Sequence, residues 1–248
     1  MRFETGSDED IPSCEATTVP VFVQQLAVSI LRHGYFWYVT GQIPEVKDPR
    51  VIDGKILRVY GINVSKFVRH RRKQLGQANI QYLRHERFFV LAATKGEHHF
   101  YRDERESIRD ARIYPIYYRG YSISHRSGHS SVRIENAVYL RLKAYLLGIA
   151  LRRSVEHLEW EFSRIPYEPF APVRSQLLSI HRAVNKARAT AGLPPVTTRG
   201  FRFWRKPVKP FEAQDVDASE VEECEDGEGD ESAERLGDAI LVKNLSLP

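Results

Sequence analysis

Apolar residues near the start of the chain recur with the spacings of regular secondary structure. Phe22, Leu26 and Ile30 are four residues apart, which predicts a helix over residues 20–32. The run Tyr35–Ile43 is aromatic and β-branched, and it predicts a central strand. A helix followed by a buried strand is therefore the expected opening of the fold.

Two further helices are predicted from their capping residues. Asp48 before Pro49 is typical of a helix start, and the apolar pattern continues to about residue 60. Ser65 is expected to cap a short helix over Lys66–Leu75. If these two helices form a helix–turn–helix, the second one holds the position of the recognition helix.

Strand patterns follow in the middle of the chain. Residues Asn79–Arg84 and Arg87–Thr94 predict a hairpin around a His85-Glu86 turn. The second of these strands contains the continuous apolar run Phe88–Ala92, which is typical of a strand that is covered on both faces.

The third quarter of the chain changes from strand to helix patterns. Residues Ile113–His125 and Ser130–Ile134 predict two strands joined by the turn 126–128. A long helix is expected from about Glu135 to Ile165, and another from about residue 173 to residue 191.

These elements indicate an α+β fold with an antiparallel sheet of about five strands covered by helices, because no regular βαβ repeat is present. The C-terminal part is expected to be a helical extension followed by a disordered acidic tail. The expected segments are a disordered acidic N-terminus (1–16), a basic α+β domain (17–165), a helical extension with a basic aromatic arm (166–211) and an acidic disordered tail (212–248).

Charge is distributed very unevenly along the chain. Residues 1–16 carry five acids and one base, and residues 212–248 carry thirteen acids and two bases. Residues 17–211 therefore keep 34 of the 37 Lys and Arg and 14 of the 32 Asp and Glu, a net charge of +20. Such an excess of cations is typical of a protein with an anionic partner, and the dominance of arginine suits phosphate oxygens.

The densest basic cluster lies on the helix predicted at 66–75, where five Lys or Arg occur in eight residues. Aromatic residues alternate with further arginines in the strands around residue 117 and again in the arm at 201–211. The candidate nucleic-acid-binding residues are Lys66, Arg69, Arg71, Arg72, Lys73, Arg112, Arg119, Arg126, Arg133, Arg202, Arg205 and Lys206. An ordinary solvated basic surface is the alternative interpretation.

Candidate catalytic residues are fewer and less specific. His125 and His129 flank a predicted turn, where they are expected to converge across the mouth of a hairpin. Tyr139 and Lys143 are four residues apart on a predicted helix, which places a phenol and an ammonium on one face. This pair suits a tyrosine nucleophile with a cation that stabilises charge on phosphate. Ordinary residues of an amphipathic helix would show the same spacing.

The order of an aromatic strand, histidines and a helical tyrosine over residues 35–145 loosely resembles the rolling-circle replication initiators and the relaxase-like nucleases. The resemblance implies metal-dependent nicking of a nucleic acid. The chain departs from that family because it contains no His-hydrophobic-His motif, so the family's metal ligands have no counterpart here. Membership of the family is not inferred.

Three functions follow from these patterns. The first is a protein that binds nucleic acid, with DNA favoured over RNA, in a plasmid, phage or other mobile element. The second is a metal-dependent nuclease or nicking enzyme, and only this one requires a divalent metal. The third is a structural protein that binds protein partners. The first is preferred, with no cofactor and no metal site expected.

Other features narrow the setting. No apolar run is long enough to cross a membrane, no secretory signal pattern is present, and the two cysteines lie far apart in polar segments. A cytoplasmic protein that does not bind membranes is therefore expected, and the oligomeric state is left open.

Overall fold

The computed structural model describes residues 14–204 of the chain. Most of the acidic N-terminus, the end of the basic arm with Arg205 and Lys206, and the acidic tail at 212–248 lie outside the described residues. In chain order the elements are α1 (Val19–Gln24), β1 (Trp37–Gln42), α2 (Pro49–Val59), α3 (Lys66–Gln74), β2 (Ile80–His85), β3 (Phe88–Ala93), α4 (Phe100–Asp103), β4 (Arg109–Asp110), β5 (Ile116–Tyr118), β6 (Tyr121–Arg126), β7 (His129–Ile134), α5 (Asn136–Ile149), α6 (Val155–Ser163) and α7 (Ala171–Thr190).

The described residues form two compact units. The first contains residues 14–18 and 34–109, and the second contains residues 19–33 and 110–204. The border near residue 109 falls inside the segment 17–165 that the sequence analysis treats as one domain. The predicted α+β class with antiparallel strands covered by helices is confirmed, with the strands divided between a sheet of four and a sheet of three.

The four-stranded sheet has the order β2–β3–β1–β4, so the central position expected for β1 is confirmed. The hairpin of β2 and β3 is also present, but its turn is Glu86-Arg87 and not His85-Glu86, because His85 pairs with Phe88. Glu86 has a φ of 54°, which this tight turn requires. Residues Phe89–Ala93 of β3 are all buried, as the continuous apolar run predicts.

A buried arginine organises one edge of this sheet. The Arg84 guanidinium, 3% exposed, forms ion pairs of 2.9 Å with Asp53 of α2 and with Glu15. The Tyr82 hydroxyl donates a hydrogen bond of 2.6 Å to the same Asp53 carboxylate, and the Arg84 backbone N–H donates to the Cys14 carbonyl at 2.9 Å. Burial raises the pKa of the Cys14 thiol to about 12. The positive charge of Arg84 is thus neutralised by carboxylates of its own unit.

The three-stranded sheet of the second unit has the order β5–β6–β7. Residues 113–125 were expected to form one strand, and this prediction is wrong, because Arg119 and Gly120 turn the chain with φ values of 46° and 79°. Ser127 and Gly128 form a second turn of the same kind, with φ values of 50° and 79°. Two consecutive positive φ values match the right-handed twist of a tight hairpin.

The helices of the second unit enclose an apolar cluster. The single helix expected from 135 to 165 is wrong: α5 ends at Ile149, and the Ser154 side chain caps the new helix α6 by accepting from the His157 N–H at 3.3 Å. The longest helix is α7, which buries Val173, Leu177, Ile180 and Val184 in the cluster. The helix expected at 20–32 continues from α1 as a wider π-helical turn over Gln25–Ile30 and a 3-10 turn over Leu31–His33.

Among the helices between residues 14 and 204, none has both the length and the apolar character needed to cross a membrane.

Candidate nucleic-acid interface

Helix α3 carries the densest basic cluster and starts as the sequence predicts. The Ser65 hydroxyl accepts a hydrogen bond of 3.3 Å from the Val68 backbone N–H, which satisfies one of the free N–H groups of the first turn. The helix contains no acidic residue, and Arg71, Arg72 and Lys73 lie in its last turn. Cations there interact favourably with the negative end of the helix dipole, whereas Lys66 in the first turn does not.

No side chain of α3 is buried. Phe67 is 82% exposed and Leu75, just after the helix, is 65% exposed. Since Phe67, Arg71 and Leu75 follow one another at intervals of four residues, they lie along one outward line of the helix. Most short helices of globular proteins bury an apolar face, whereas α3 leaves these two apolar side chains exposed.

Polar contacts attach α3 to the rest of its unit. The Arg72 guanidinium donates to the Gly61 carbonyl at 3.0 Å, and the Asn79 side chain donates to the Arg69 carbonyl at 3.0 Å. Arg69 and Arg72 are half-buried, whereas Lys66, Arg71 and Lys73 are exposed. Within the part of the chain that the structure describes, no carboxylate forms an ion pair with any cation of α3.

A stacked pair of histidines lies close to Arg72. The imidazole rings of His98 and His99 are 4.2 Å apart, and His99 stacks on Tyr60 at 5.4 Å. Burial, together with the neighbouring His99 and Arg72, lowers the pKa of His98 to about 4. His98 is therefore neutral at pH 7, chiefly because it is partly buried. The sequence pattern contained no signal for this stack.

In the second unit, one face of the three-stranded sheet is polar and carries four exposed side chains. The strand register places Tyr117, Ser122 and Arg133 in one row and pairs Arg126 with His129 in another. Side chains at paired positions lie on the same face of an antiparallel sheet. We call this surface the polar sheet face and define it by Tyr117, Ser122, Arg126, His129, Ser131 and Arg133.

The polar sheet face combines a ring, hydroxyl groups and cations. Tyr117 is 56% exposed at one edge, and Arg126, His129 and Arg133 are exposed on the other two strands. With strands about 4.8 Å apart, Tyr117 and Arg133 are about 10 Å from each other across the sheet. Over residues 14–204 none of the three cationic or basic side chains on this face pairs with a carboxylate.

Other predicted contact residues are differently placed. The Arg112 guanidinium binds both oxygens of Asp110, with the shortest contact at 2.6 Å, and this pairing holds the pKa of Asp110 below its usual range. Arg202 lies 3.6 Å from Glu168. Arg119 is exposed in the turn between β5 and β6. The charges of Arg112 and Arg202 are thus offset locally by carboxylates.

The structure places the two candidate catalytic histidines on different faces of one sheet. His125 pairs with Ser130 while His129 pairs with Arg126, so the two imidazoles lie on opposite faces of the sheet and the expected convergence is wrong. Tyr139 is half-buried against α7, and its hydroxyl donates to the Ser179 hydroxyl at 3.4 Å. Lys143 shares the helix α5 with Tyr139. Between residues 14 and 204, no three His, Cys, Asp or Glu side chains form a group that could hold a metal ion.

Comparisons of this chain with protein-family models, with curated proteins and with solved structures gave no match.

Proposed function

We propose that this protein binds nucleic acid, with DNA favoured over RNA, through α3 and through the polar sheet face. The observation that carries the proposal is α3: a helix with five Lys or Arg that buries no side chain and has no carboxylate partner among residues 14–204. An exposed basic helix of this kind is the electrostatic footprint expected of a protein that binds the phosphates of a nucleic acid.

The charge of α3 by itself opposes helix formation. Lys66 lies one turn from Arg69, and Arg69 lies one turn from Arg72 and Lys73, so like charges repel along the helix. A helix of nine residues is marginal without burial of an apolar face. Phosphates placed along Lys66, Arg71 and Lys73 remove this repulsion and add charge-assisted hydrogen bonds. Binding therefore stabilises α3, which is otherwise destabilised by repulsion between its like charges.

The polar sheet face suits an unpaired base. An exposed tyrosine ring on a strand offers a stacking surface, and stacking of one base on an aromatic ring contributes about 1–3 kcal/mol. Arg133, about 10 Å across the sheet, and Arg126 then bind the adjoining phosphates. Bases inside a duplex cannot reach such a ring, so this face favours single-stranded segments.

Binding without chemistry is the preferred function, because the two histidines proposed for a nicking reaction lie apart. His125 and His129 are on opposite faces of one sheet, and the half-buried Tyr139 hydroxyl donates a hydrogen bond of 3.4 Å to the Ser179 hydroxyl. A nuclease needs its nucleophile and its metal ligands around one phosphodiester.

The test is fluorescence anisotropy of labelled single- and double-stranded DNA and RNA at two salt concentrations, with and without Mg²⁺ or Mn²⁺. The same samples are then run on a denaturing gel. Affinity that falls steeply with salt, with intact strands, supports the proposal. Absence of binding at low salt overturns it, and strands cut only in the presence of metal replace it with the nuclease function.

A matched pair of variants locates the contact. In R71Q/K73Q, α3 loses two exposed cations, and in K47Q/R50Q two exposed cations are lost near the start of α2, with the same change in net charge. If Arg71 and Lys73 each contact a phosphate, the first variant binds about tenfold or more weakly near 0.1 M salt, with a salt dependence reduced by about two phosphates. Equal losses in both variants would mean that only net charge matters.

A further inference from the structure

The exposed line of α3 combines a cation with the apolar side chains Phe67 and Leu75, whereas the polar sheet face has no exposed aliphatic side chain. Phe67 and Leu75 lie at the two ends of the line and Arg71 at its centre, over a length of about 12 Å. Their large exposed apolar surface contributes little to a contact with phosphates, which are strongly hydrated. A partner that is acidic and apolar at once fits the line better than a phosphate backbone does.

The chain itself contains such a segment. After Trp204 it continues for 44 residues, and residues 212–248 carry thirteen acids and two bases. Near the end of this stretch, Glu231, Glu234 and Asp238 precede the apolar run Ala239-Ile240-Leu241-Val242, and the two bases of the stretch, Arg235 and Lys243, lie within the same segment. No other part of the sequence combines acids with an apolar run in this way.

We propose that residues 231–247 of this chain dock on α3 of the same molecule. The carboxylates of Glu231, Glu234 and Asp238 pair with exposed cations of α3, of which Arg71 lies on the line itself, and the run at 239–242 covers Phe67 and Leu75. Charge complementarity carries the electrostatic part of the contact, and removal of exposed apolar surface from water carries the rest.

A long connection joins residue 204 to the acidic and apolar segment. The 26 residues between Trp204 and Glu231 reach at most roughly 90 Å when extended. Because both partners belong to one chain, docking proceeds at a high effective concentration and needs only modest intrinsic affinity. A second copy of the protein carries the same segment and is therefore the main competitor for α3.

A consequence that rests on the proposed function is competition. Phosphates and the acidic segment would bind the same cations of α3, so docking weakens nucleic-acid binding at low salt and has less effect at high salt. The polar sheet face, which has no exposed aliphatic side chain among its members, is not the target of the segment.

Photo-crosslinking of the full-length protein tests the docking without any nucleic acid. Phe67→p-benzoyl-phenylalanine places the photoreactive group on α3, and Val46→p-benzoyl-phenylalanine places it on another highly exposed apolar position of the same unit. Equal amounts of isotopically light and heavy protein are mixed, irradiated and digested, and the crosslinked peptides are identified by mass spectrometry. Both positions are exposed, so neither variant disturbs the core.

We expect peptides from residues 231–247 to be crosslinked at position 67 at least fivefold more than at position 46, within one isotopic form. E231Q/E234Q/D238N should reduce the yield severalfold, whereas E220Q/E222Q/E223Q, with the same loss of charge, should change it little. No crosslink to 231–247, equal yields from positions 46 and 67, or mainly mixed light–heavy products would each overturn the proposal. The last result would assign the face to a second copy. Since no nucleic acid is present, a failure of the proposed function would leave this result unchanged.

Discussion

Helices α3 and α7 both carry several cations, but they use them in opposite ways. In α7, Arg188 is 2% exposed and donates to the carbonyl oxygens of Ala150 at 2.6 Å, Arg153 at 3.0 Å and Pro194 at 2.7 Å. In α3 no side chain is buried, and Arg71 faces outward. Arginine content therefore does not by itself indicate a binding surface. An arginine whose donors are satisfied inside the fold stabilises it, and an exposed one can bind a partner.

The largest effect is expected from Arg188→Met. The substitution removes three charge-assisted hydrogen bonds and leaves the buried Ala150 carbonyl without its donor, so we expect a loss of about 3–5 kcal/mol in the free energy of unfolding. Arg71→Met is the control, with a change within about 0.5 kcal/mol. Urea unfolding of both proteins measures the difference. Similar losses would mean that the two arginines do not differ in role.

The next effect concerns the second unit. Tyr117→Ala removes the stacking ring of the polar sheet face, and we expect the affinity for single-stranded DNA to fall by about 1–3 kcal/mol. Affinity for a duplex should change much less, because its bases are already stacked. Tyr145→Ala, at a similarly exposed position of α5, is the control. An equal loss for single and double strands would show that Tyr117 does not stack on a base.

Removal of two capping serines compares the stability of an exposed helix with that of a packed one. Ser65→Ala removes the cap of α3 and Ser154→Ala removes the cap of α6, and each is expected to cost about 1 kcal/mol. Because no side chain of α3 is fully buried, loss of its cap should appear as faster amide exchange in residues 66–74 with little change in the global unfolding midpoint. Loss of the α6 cap should lower the midpoint, since Leu158 and Phe162 pack in the core. The reverse pattern would contradict the exposed placement of α3.

The smallest effect is a pH dependence next to α3. His98 has a pKa of about 4 in the fold against 6.5 for the free side chain. The unfolded chain therefore binds more protons between these values, and stability falls as pH is lowered from about 6.5 towards 4. Allowing for partial exposure, we expect a loss of about 1 kcal/mol that is absent in His98→Gln.

The pKa of His98 also depends on the charge of Arg72 in α3. Arg72→Gln removes a positive charge that lowers the His98 pKa, so this pKa should rise in the variant. Titration of the His98 ring signals by NMR measures the shift. An unchanged pKa would mean that burial and His99 alone set its value.

Much of the fold was predictable because it depends on local signals. Asp48 before Pro49 and Ser65 before Lys66 mark helix starts through backbone hydrogen bonds that any chain with these residues can form. The break between α5 and α6 was missed, since the apolar pattern continues across it and only the Ser154 cap indicates a new start. The turn at Arg119-Gly120 was missed for a similar reason, because Tyr117, Tyr118 and Tyr121 read as one aromatic strand.

The candidate site was predictable only in part. The basic cluster of Lys66–Lys73 could be located from composition, and its placement on a capped helix followed from Ser65. That Arg112 pairs with Asp110 while Arg133 shares a face with Tyr117 could not be foreseen. Strand register decides which face a side chain occupies, and a shift of one residue reverses it. The separation of His125 and His129 has the same cause.

By itself, the sequence determined the α+β class, most helix starts, the central strand β1 and the excess of positive charge between its acidic ends, because periodicity, capping and composition act over a few residues. Only the tertiary structure decided which cations are free to act. Arg84 forms an ion pair with Asp53 and Arg188 donates a hydrogen bond to the Ala150 carbonyl, and both partners are distant in sequence. Lys66, Arg71 and Lys73 of α3 stay exposed, because no face of that helix is fully buried. Burial and long-range pairing depend on the whole fold, so no local pattern could separate these arginines.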